Sequence, residues 1–213
     1  MFFSFDGIDG CGKSTQTDLF CRHLRELGRE VVFCRDPGST ALGEAVRGIL
    51  LDGRIESISP RSEMLLYMAA RAQLVDEVIR PALKAGAVVL SDRFLLANVV
   101  YQGHARGLET QTLWQIGRVA TDGVEPDMTF VLDLPVEVAA ARLGGHRDRL
   151  ESEDEAFHQR LREGFLKEAE KKDHAGENRI VVVDATRSID TVQRQIRQAA
   201  ERLTGAEKAS KST

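Results

Sequence analysis

The sequence predicts an α/β chain: one five-stranded parallel sheet, doubly wound, with helices on both faces. Three observations predict it. Five short apolar runs recur along the chain, at Phe2 to Phe5, Val31 to Cys34, Ala87 to Leu90, Thr129 to Leu132 and Ile180 to Val183. They lack strict polar alternation, which is how strands covered on both faces read. The stretches between them are long enough for the crossover helices that parallel neighbours require. Finally, an aspartate closes or closely follows each run, at Asp6, Asp36, Asp92, Asp133 and Asp184. Ligands of open parallel sheets bind beyond the carboxyl ends of the strands, so these positions mark the floor of the expected site.

The helices have readable ends. After Lys13, the residues Phe20, Leu24 and Leu27 share one face and Gly28 supplies a stop. Ser59 and Pro60 open a second helix whose stripe runs through Leu65, Leu66, Ala69, Ala70 and Leu74 towards Gly86. Helices are also expected over Gln111 to Thr121, Val136 to Leu143, Glu155 to Lys172 and Ile189 to Leu203. Residues 205–213 have almost nothing to bury and are expected to fray, leaving one domain over residues 1–204.

Composition narrows the function classes. The chain has 213 residues, 42% hydrophobic and 29% charged, values of an ordinary soluble domain. A formal net charge of -4 argues against a broad basic face for a nucleic acid polymer, so any nucleotide partner is expected to be small. MFFSFDG lacks the basic start of a signal peptide, and no run reaches the roughly 18 apolar residues of a membrane helix. The odd number of cysteines, Cys11, Cys21 and Cys34, suits reduced thiols in a cytoplasm, and the five histidines show no metal-ligand spacing.

The chemistry sits in Gly7-Ile8-Asp9-Gly10-Cys11-Gly12-Lys13-Ser14, a complete G-x-x-x-x-G-K-[ST] loop between a strand and an amphipathic helix, which predicts the P-loop NTPase fold. Gly7, Gly10 and Gly12 let backbone N–H groups, including that of Cys11, turn inward around phosphates, and the helix that begins with Lys13, Ser14 and Thr15 adds its positive end. Lys13 supplies a point charge to the β- and γ-phosphates, and Ser14 a hydroxyl to Mg²⁺. Phosphoryl transfer needs no thiol, so Cys11 is expected to be chemically incidental.

The loop alone does not separate a kinase from a GTPase or a motor ATPase. The guanine-reading NKxD element is absent, and Arg142, Arg147 and Arg149 cluster around the flexible pair Gly144 and Gly145. A guanidinium delivered late by such a lid, about residues 142–150, would stabilise charge developed in transfer. A solvated charged turn is the plainer alternative for the same residues.

Several ordered segments carry a family resemblance: FDGIDGCGKSTQ at 3–16, RDPGST at 35–40, YMAAR at 67–71, SDRF at 91–94, NVVYQG at 98–103 and DRLE at 148–151. Together they make the chain resemble the bacterial thymidylate kinases over residues 2–204, of the type whose catalytic arginine comes from the lid, because Gly10 stands where other members carry an arginine. The resemblance implies that Gly12, Lys13, Ser14 and Thr15 hold the phosphates of ATP and its Mg²⁺, with Asp92 positioning the metal through water. It implies that Asp9 lies between the loop and the acceptor phosphate, that Asp36 approaches the deoxyribose and metal, and that Arg47 and Arg93 bind the acceptor phosphate. Tyr67 would stack on thymine, Arg71 would bond its carbonyl edge, and Asn98, Tyr101 and Gln102 would complete the pocket. Arg147 is the first candidate for the catalytic arginine and Arg142 the second. The resemblance also implies a homodimer. Three positions depart from the family pattern: Asp36 for glutamate, Phe94 for a tyrosine or histidine, and Ala97 for a small hydroxyl residue. A related kinase of different acceptor, and a nucleotide-binding switch without an acceptor, are the competing readings.

Overall fold

The computed structural model describes residues 1–51, 55, 57–143, 150, 153–171 and 179–210, with side chains as far as Leu203. Five parallel strands, β1 (Phe2–Asp6), β2 (Val31–Arg35), β3 (Val88–Asp92), β4 (Met128–Asp133) and β5 (Ile180–Asp184), lie in the order β2-β3-β1-β4-β5. The register pairs Phe5 of β1 with Asp92 of β3 on one side and Phe130 of β4 on the other. Each expected strand is present, and Asp6, Asp92, Asp133 and Asp184 are the last residues of their strands.

Side chains alternate across the central strand. Phe3 and Phe5 face Phe20 of helix α1 (Lys13–Glu26) and pack against Phe130, Phe3 stacked on it and Phe5 tilted. Phe2 points the other way, edge-on to Phe94 at 5.0 Å, in a cluster with Met64, Met68 and Leu74. Buried Ser4 on that second face is satisfied by a 2.7 Å contact between its hydroxyl and that of Thr129.

The other helices are α2 (Ala41–Leu51), α3 (Pro60–Leu74), α4 (Arg80–Lys84), α5 (Leu95–Asn98), α6 (Thr110–Thr121), α7 (Val136–Arg142), α8 (Glu155–Ala169) and α9 (Ile189–Ser210). Ser59 caps α3 as expected, its hydroxyl accepting from Ser62 N at 3.2 Å. The single helix expected from Pro60 towards Gly86 is interrupted by a π-turn at Val75–Ile79. Pro81 has no N–H to give to an α-helical ladder, and the wider turn ahead of it, with Arg80 N bonding Val75 O, absorbs the break. Helix α9 continues past its expected end at Leu203 to Ser210, because Ala206, Glu207, Lys208 and Ala209 are strong helix formers that carry the backbone through Gly205. Two helical segments were not expected from sequence: α2, and α5 continued by a second π-segment at Val99–Ala105. Among the described residues no helix is long and apolar enough to cross a membrane.

Candidate active site

A cavity of about 720 Å³ opens at the carboxyl end of the sheet. Its walls include Asp9, Gly10, Cys11, Gly12, Lys13, Ser14 and Thr15 from the loop and α1, and Asp36, Arg47, Tyr67, Arg71, Asp92, Arg93, Asn98, Tyr101 and Gln102 from the next hundred residues. Arg142 borders it at the far end. Of the loop and lid residues singled out in the sequence, Gly7 opens the loop without lining the cavity, and Gly144, Gly145, Arg147 and Arg149 lie outside the described residues.

The loop owes its shape to backbone that only glycine adopts without strain. Gly7, Gly10 and Gly12 have φ of 130°, 81° and 97°. A Cβ on Gly7 would sit 2.6 Å from Leu132 O, and one on Gly10 2.5 Å from Ala139 O, so the loop is pressed against both the end of β4 and the side of α7. Position 10 therefore has no room for an outgoing side chain, in accord with its being glycine. Lys13 is folded back, its Nζ donating to Gly7 O at 3.1 Å and Ile8 O at 3.0 Å. Ser14 and Thr15 are exposed on the first turn of α1.

Asp9 is the hub between the loop and the opposite wall. Its Oδ1 accepts from Arg93 Nη2 at 2.5 Å and from Lys13 Nζ at 3.3 Å, and its Oδ2 accepts from the Tyr101 hydroxyl at 3.2 Å. Burial alone would push this carboxyl up, but Arg93 and Lys13 outweigh it and hold Asp9 well below the usual carboxylate range. Arg93 also donates to Gly7 O at 3.0 Å and lies over the Tyr101 ring, 5.1 Å from its centroid. It holds φ of 69°, a left-handed value that a non-glycine residue rarely takes. Burial raises the Tyr101 hydroxyl well above its ordinary value, so it stays a donor to Asp9.

The second wall is a buried polar layer. Arg71 Nε donates to Asp36 Oδ2 at 2.5 Å, its Nη1 donates to Asn98 Oδ1 at 2.8 Å, and the guanidinium covers the Phe94 ring at 5.5 Å. Phe94 thus belongs to the core beneath Arg71 and does not border the cavity, whereas Ala97 does. Asp36 follows β2 and is joined to Pro37 by a cis peptide bond. Burial pushes its carboxyl up against the pull of Arg71. Arg47, on the helix the sequence reading missed, donates to Pro37 O at 3.3 Å. That helix had a legible signal: Thr40 caps it, with Oγ1 accepting from Gly43 N at 2.9 Å.

The sequence reading also missed the far end of the cavity. Leu143, Leu150, Ala185, Arg187, Ile189 and Val192 line it beside Gln16, and Arg142 Nη2 reaches Ala185 O at 3.5 Å. Of the five strand-end aspartates expected on the floor, only Asp36 and Asp92 line the cavity; Asp6, Asp133 and Asp184 do not, although Asp184 is followed by Ala185, which does.

A family model described as thymidylate kinase matches residues 5–196 of the chain. The chain belongs to the thymidylate kinase family. Among relatives, it is 46% identical to the thymidylate kinase of Rhodopirellula baltica over 91% of this chain and 77% of that one. It is 43% identical to that of Thermosipho africanus over 95% and 98%, and 45% identical to that of Symbiobacterium thermophilum over 95% and 94%. A crystal structure of thymidylate kinase from Ehrlichia chaffeensis superposes with a TM-score of 0.75 at 29% identity, covering 94% of this chain and 98% of that one.

Proposed function

We propose that this chain transfers the γ-phosphoryl group of ATP to the phosphate of thymidine monophosphate, giving ADP and thymidine diphosphate. One observation carries the reading: a phosphate-binding loop and a cationic, aromatic-walled pocket face each other across a single cavity and are joined by Asp9. The attacking atom is an ionised phosphate oxygen, so no general base is required, and the protein's work is to align two anions and stabilise the charge between them. Loop N–H groups, Lys13, Ser14 and Thr15 hold the donor phosphates. For that, Lys13 exchanges its bonds to Gly7 O and Ile8 O for phosphate oxygens. Arg93 and Arg47 take the acceptor phosphate, with Arg93 aimed by ionised Asp9. Tyr67 stacks on the base, Arg71 bonds its carbonyl edge, and Asn98, Tyr101 and Gln102 close the pocket. Asp36 holds Arg71 through the 2.5 Å bond, which makes its role that of a support for base reading. Arg147 supplies the charge delivered to the transferring group, with Arg142 as the alternative.

The donor set suits Mg²⁺, which takes oxygen ligands and is held through few carboxylates plus nucleotide phosphates. Asp92 Oδ1 is buried without a hydrogen-bond partner among the described residues, and Ser14 stands exposed beside Lys13. When bound there, the ion neutralises phosphate charge in transfer. The proposed working form is a homodimer in the cytoplasm.

A coupled assay of ADP release over a panel of nucleoside monophosphates tests the reading. Thymidine monophosphate is expected to give the highest kcat/KM, and deoxyuridine monophosphate, which lacks one methyl, about 10- to 200-fold less. No stimulation by thymidine monophosphate, or ADP release independent of any acceptor, would overturn it.

A further inference from the structure

Asp184 ends β5 without lining the cavity, and its side chain is spent on the turn that follows. Its Oδ1 accepts from Thr186 N at 3.0 Å and from Thr186 Oγ1 at 2.5 Å, and its Oδ2 accepts from Arg187 Nε at 2.8 Å. These hydrogen bonds, those of Thr186 first, hold the carboxyl below its ordinary value and keep it ionised. The Arg187 and Asp184 side chains are 66% and 44% exposed, and an ion pair so open to water adds little to the stability of a fold. What it fixes is direction. A carboxylate anchored by two further bonds selects, from the many rotamers of an arginine, those that keep its Nε over the turn, and in that state Arg187 lines the far end of the cavity.

The neighbours of Arg187 there include Leu143, Leu150, Ile189 and Val192, side chains that suit a flat ring rather than a phosphate group. On the functional reading above, the loop takes the phosphates of the donor and the wall with Tyr67 takes the acceptor, which leaves this end for the nucleoside half of ATP. A guanidinium stacks on an aromatic ring through its flat face, a geometry that the point charge of a lysine reproduces poorly.

We infer that Arg187 is a contact for the donor nucleotide, its guanidinium stacking on the base of ATP, and that Asp184 is the positioning residue that aims it. The inference rests on the kinase reading and extends it to the end of the cavity that reading leaves without a role. It also gives Asp184 a function that its place outside the cavity wall does not by itself suggest.

The test measures steady-state constants for ATP and thymidine monophosphate, and inhibition by inorganic tripolyphosphate against ATP. The chains compared are the parent, Arg187→Ala, Arg187→Lys, Asp184→Asn and the double variant Asp184→Asn/Arg187→Ala, with thermal unfolding to establish folding. In Arg187→Ala, KM for ATP is expected to rise about 2- to 30-fold, the range of one cation–π contact from an exposed to a desolvated site. A contact made alike before and during transfer falls on KM rather than kcat, and KM for thymidine monophosphate is expected to hold its parent value. Tripolyphosphate has no base, so its inhibition constant is expected to hold as well. Arg187→Lys keeps the charge without the plane and is expected to resemble Arg187→Ala. Asp184→Asn is expected to raise KM for ATP by a smaller factor, and the double variant to match Arg187→Ala alone, because Asp184 acts through Arg187. An unchanged KM for ATP in folded Arg187→Ala, a rise shared by tripolyphosphate or thymidine monophosphate, or full recovery in Arg187→Lys overturns the contact; additive losses in the double variant overturn the role of Asp184. If Arg187→Ala does not fold, Arg187→Lys and Asp184→Asn decide by the same constants. Each of these outcomes leaves the kinase reading standing, whereas a parent chain inert towards thymidine monophosphate overturns both.

Discussion

Asp6 ends β1 directly beneath the loop, fully buried, with neither carboxylate oxygen hydrogen-bonded to a described residue. Burial, opposed by Arg93 and Lys13, pushes its pKa up to about 7. In the unfolded chain an aspartate ionises near pH 3.9, so between there and about 7 the folded state binds the extra proton. Stability is therefore lost as pH rises through that window, and Asp6→Asn removes the loss. Thermal unfolding should show the variant gaining on the parent from pH 5 to pH 8; an equal difference at both ends would contradict this. Gly10 offers a second single-residue test. Because its Cβ would lie 2.5 Å from Ala139 O, Gly10→Arg cannot transplant a loop arginine into this chain. It is expected to destabilise by about 1–3 kcal/mol through overpacking and to lower kcat rather than raise it, measured by denaturation and steady-state kinetics. At this scale the sequence was readable where chemistry is local: the glycines, Lys13 and Ser14 occupy consecutive positions of one loop. Buried Glu63, whose Oε1 accepts from Gln102 Nε2 at 2.7 Å, was not readable, because a glutamate in the first turn of a helix looks like an ordinary complement to the helix dipole, and its burial follows only from the packing of α3 against residues far away in sequence.

Among the elements, the strands were legible to within two residues because burial on both faces leaves an unmixed apolar run. The segment Leu95–Ala105 was not, although it carries Asn98, Tyr101 and Gln102. Its π-turn adds a residue to the helical repeat, which hides the period a sequence reading looks for. What stabilises it is tertiary: Tyr101 is edge-on to Phe157 at 6.3 Å and to Phe165 at 6.4 Å, both from α8. Between them Gly164 lets the two segments meet, since a Cβ there would lie 2.8 Å from His104 Cβ and 3.0 Å from Val100 Cγ1. Gly164→Ala should push α8 off the π-segment, costing about 1–3 kcal/mol of stability. With Tyr101 displaced, KM for the acceptor nucleotide should rise more than KM for ATP. Equal changes in the two constants would show that α8 does not govern the acceptor side.

For the whole molecule, α3 packs against both α2 and α6, and each of the three helices leaves large apolar side chains in solvent: Leu42 and Ile49 on α2, Leu65 on α3, Val119 on α6. A homodimer would cover such a surface, and sedimentation velocity is expected to give twice the 23.6 kDa of one chain; a monomer at micromolar concentration would rule the dimer out. The walls of the cavity are also divided along the chain. Apart from the loop and the start of α1, the wall that carries Tyr67 and Arg71 draws its residues from 35–102, whereas the far end draws them from 142 onwards. The two ends of the cavity are thus written in successive, non-interleaved stretches of the sequence. On the proposed function, exchanging the block 35–102 is expected to change acceptor preference while the wall from 142 onwards is carried over unchanged.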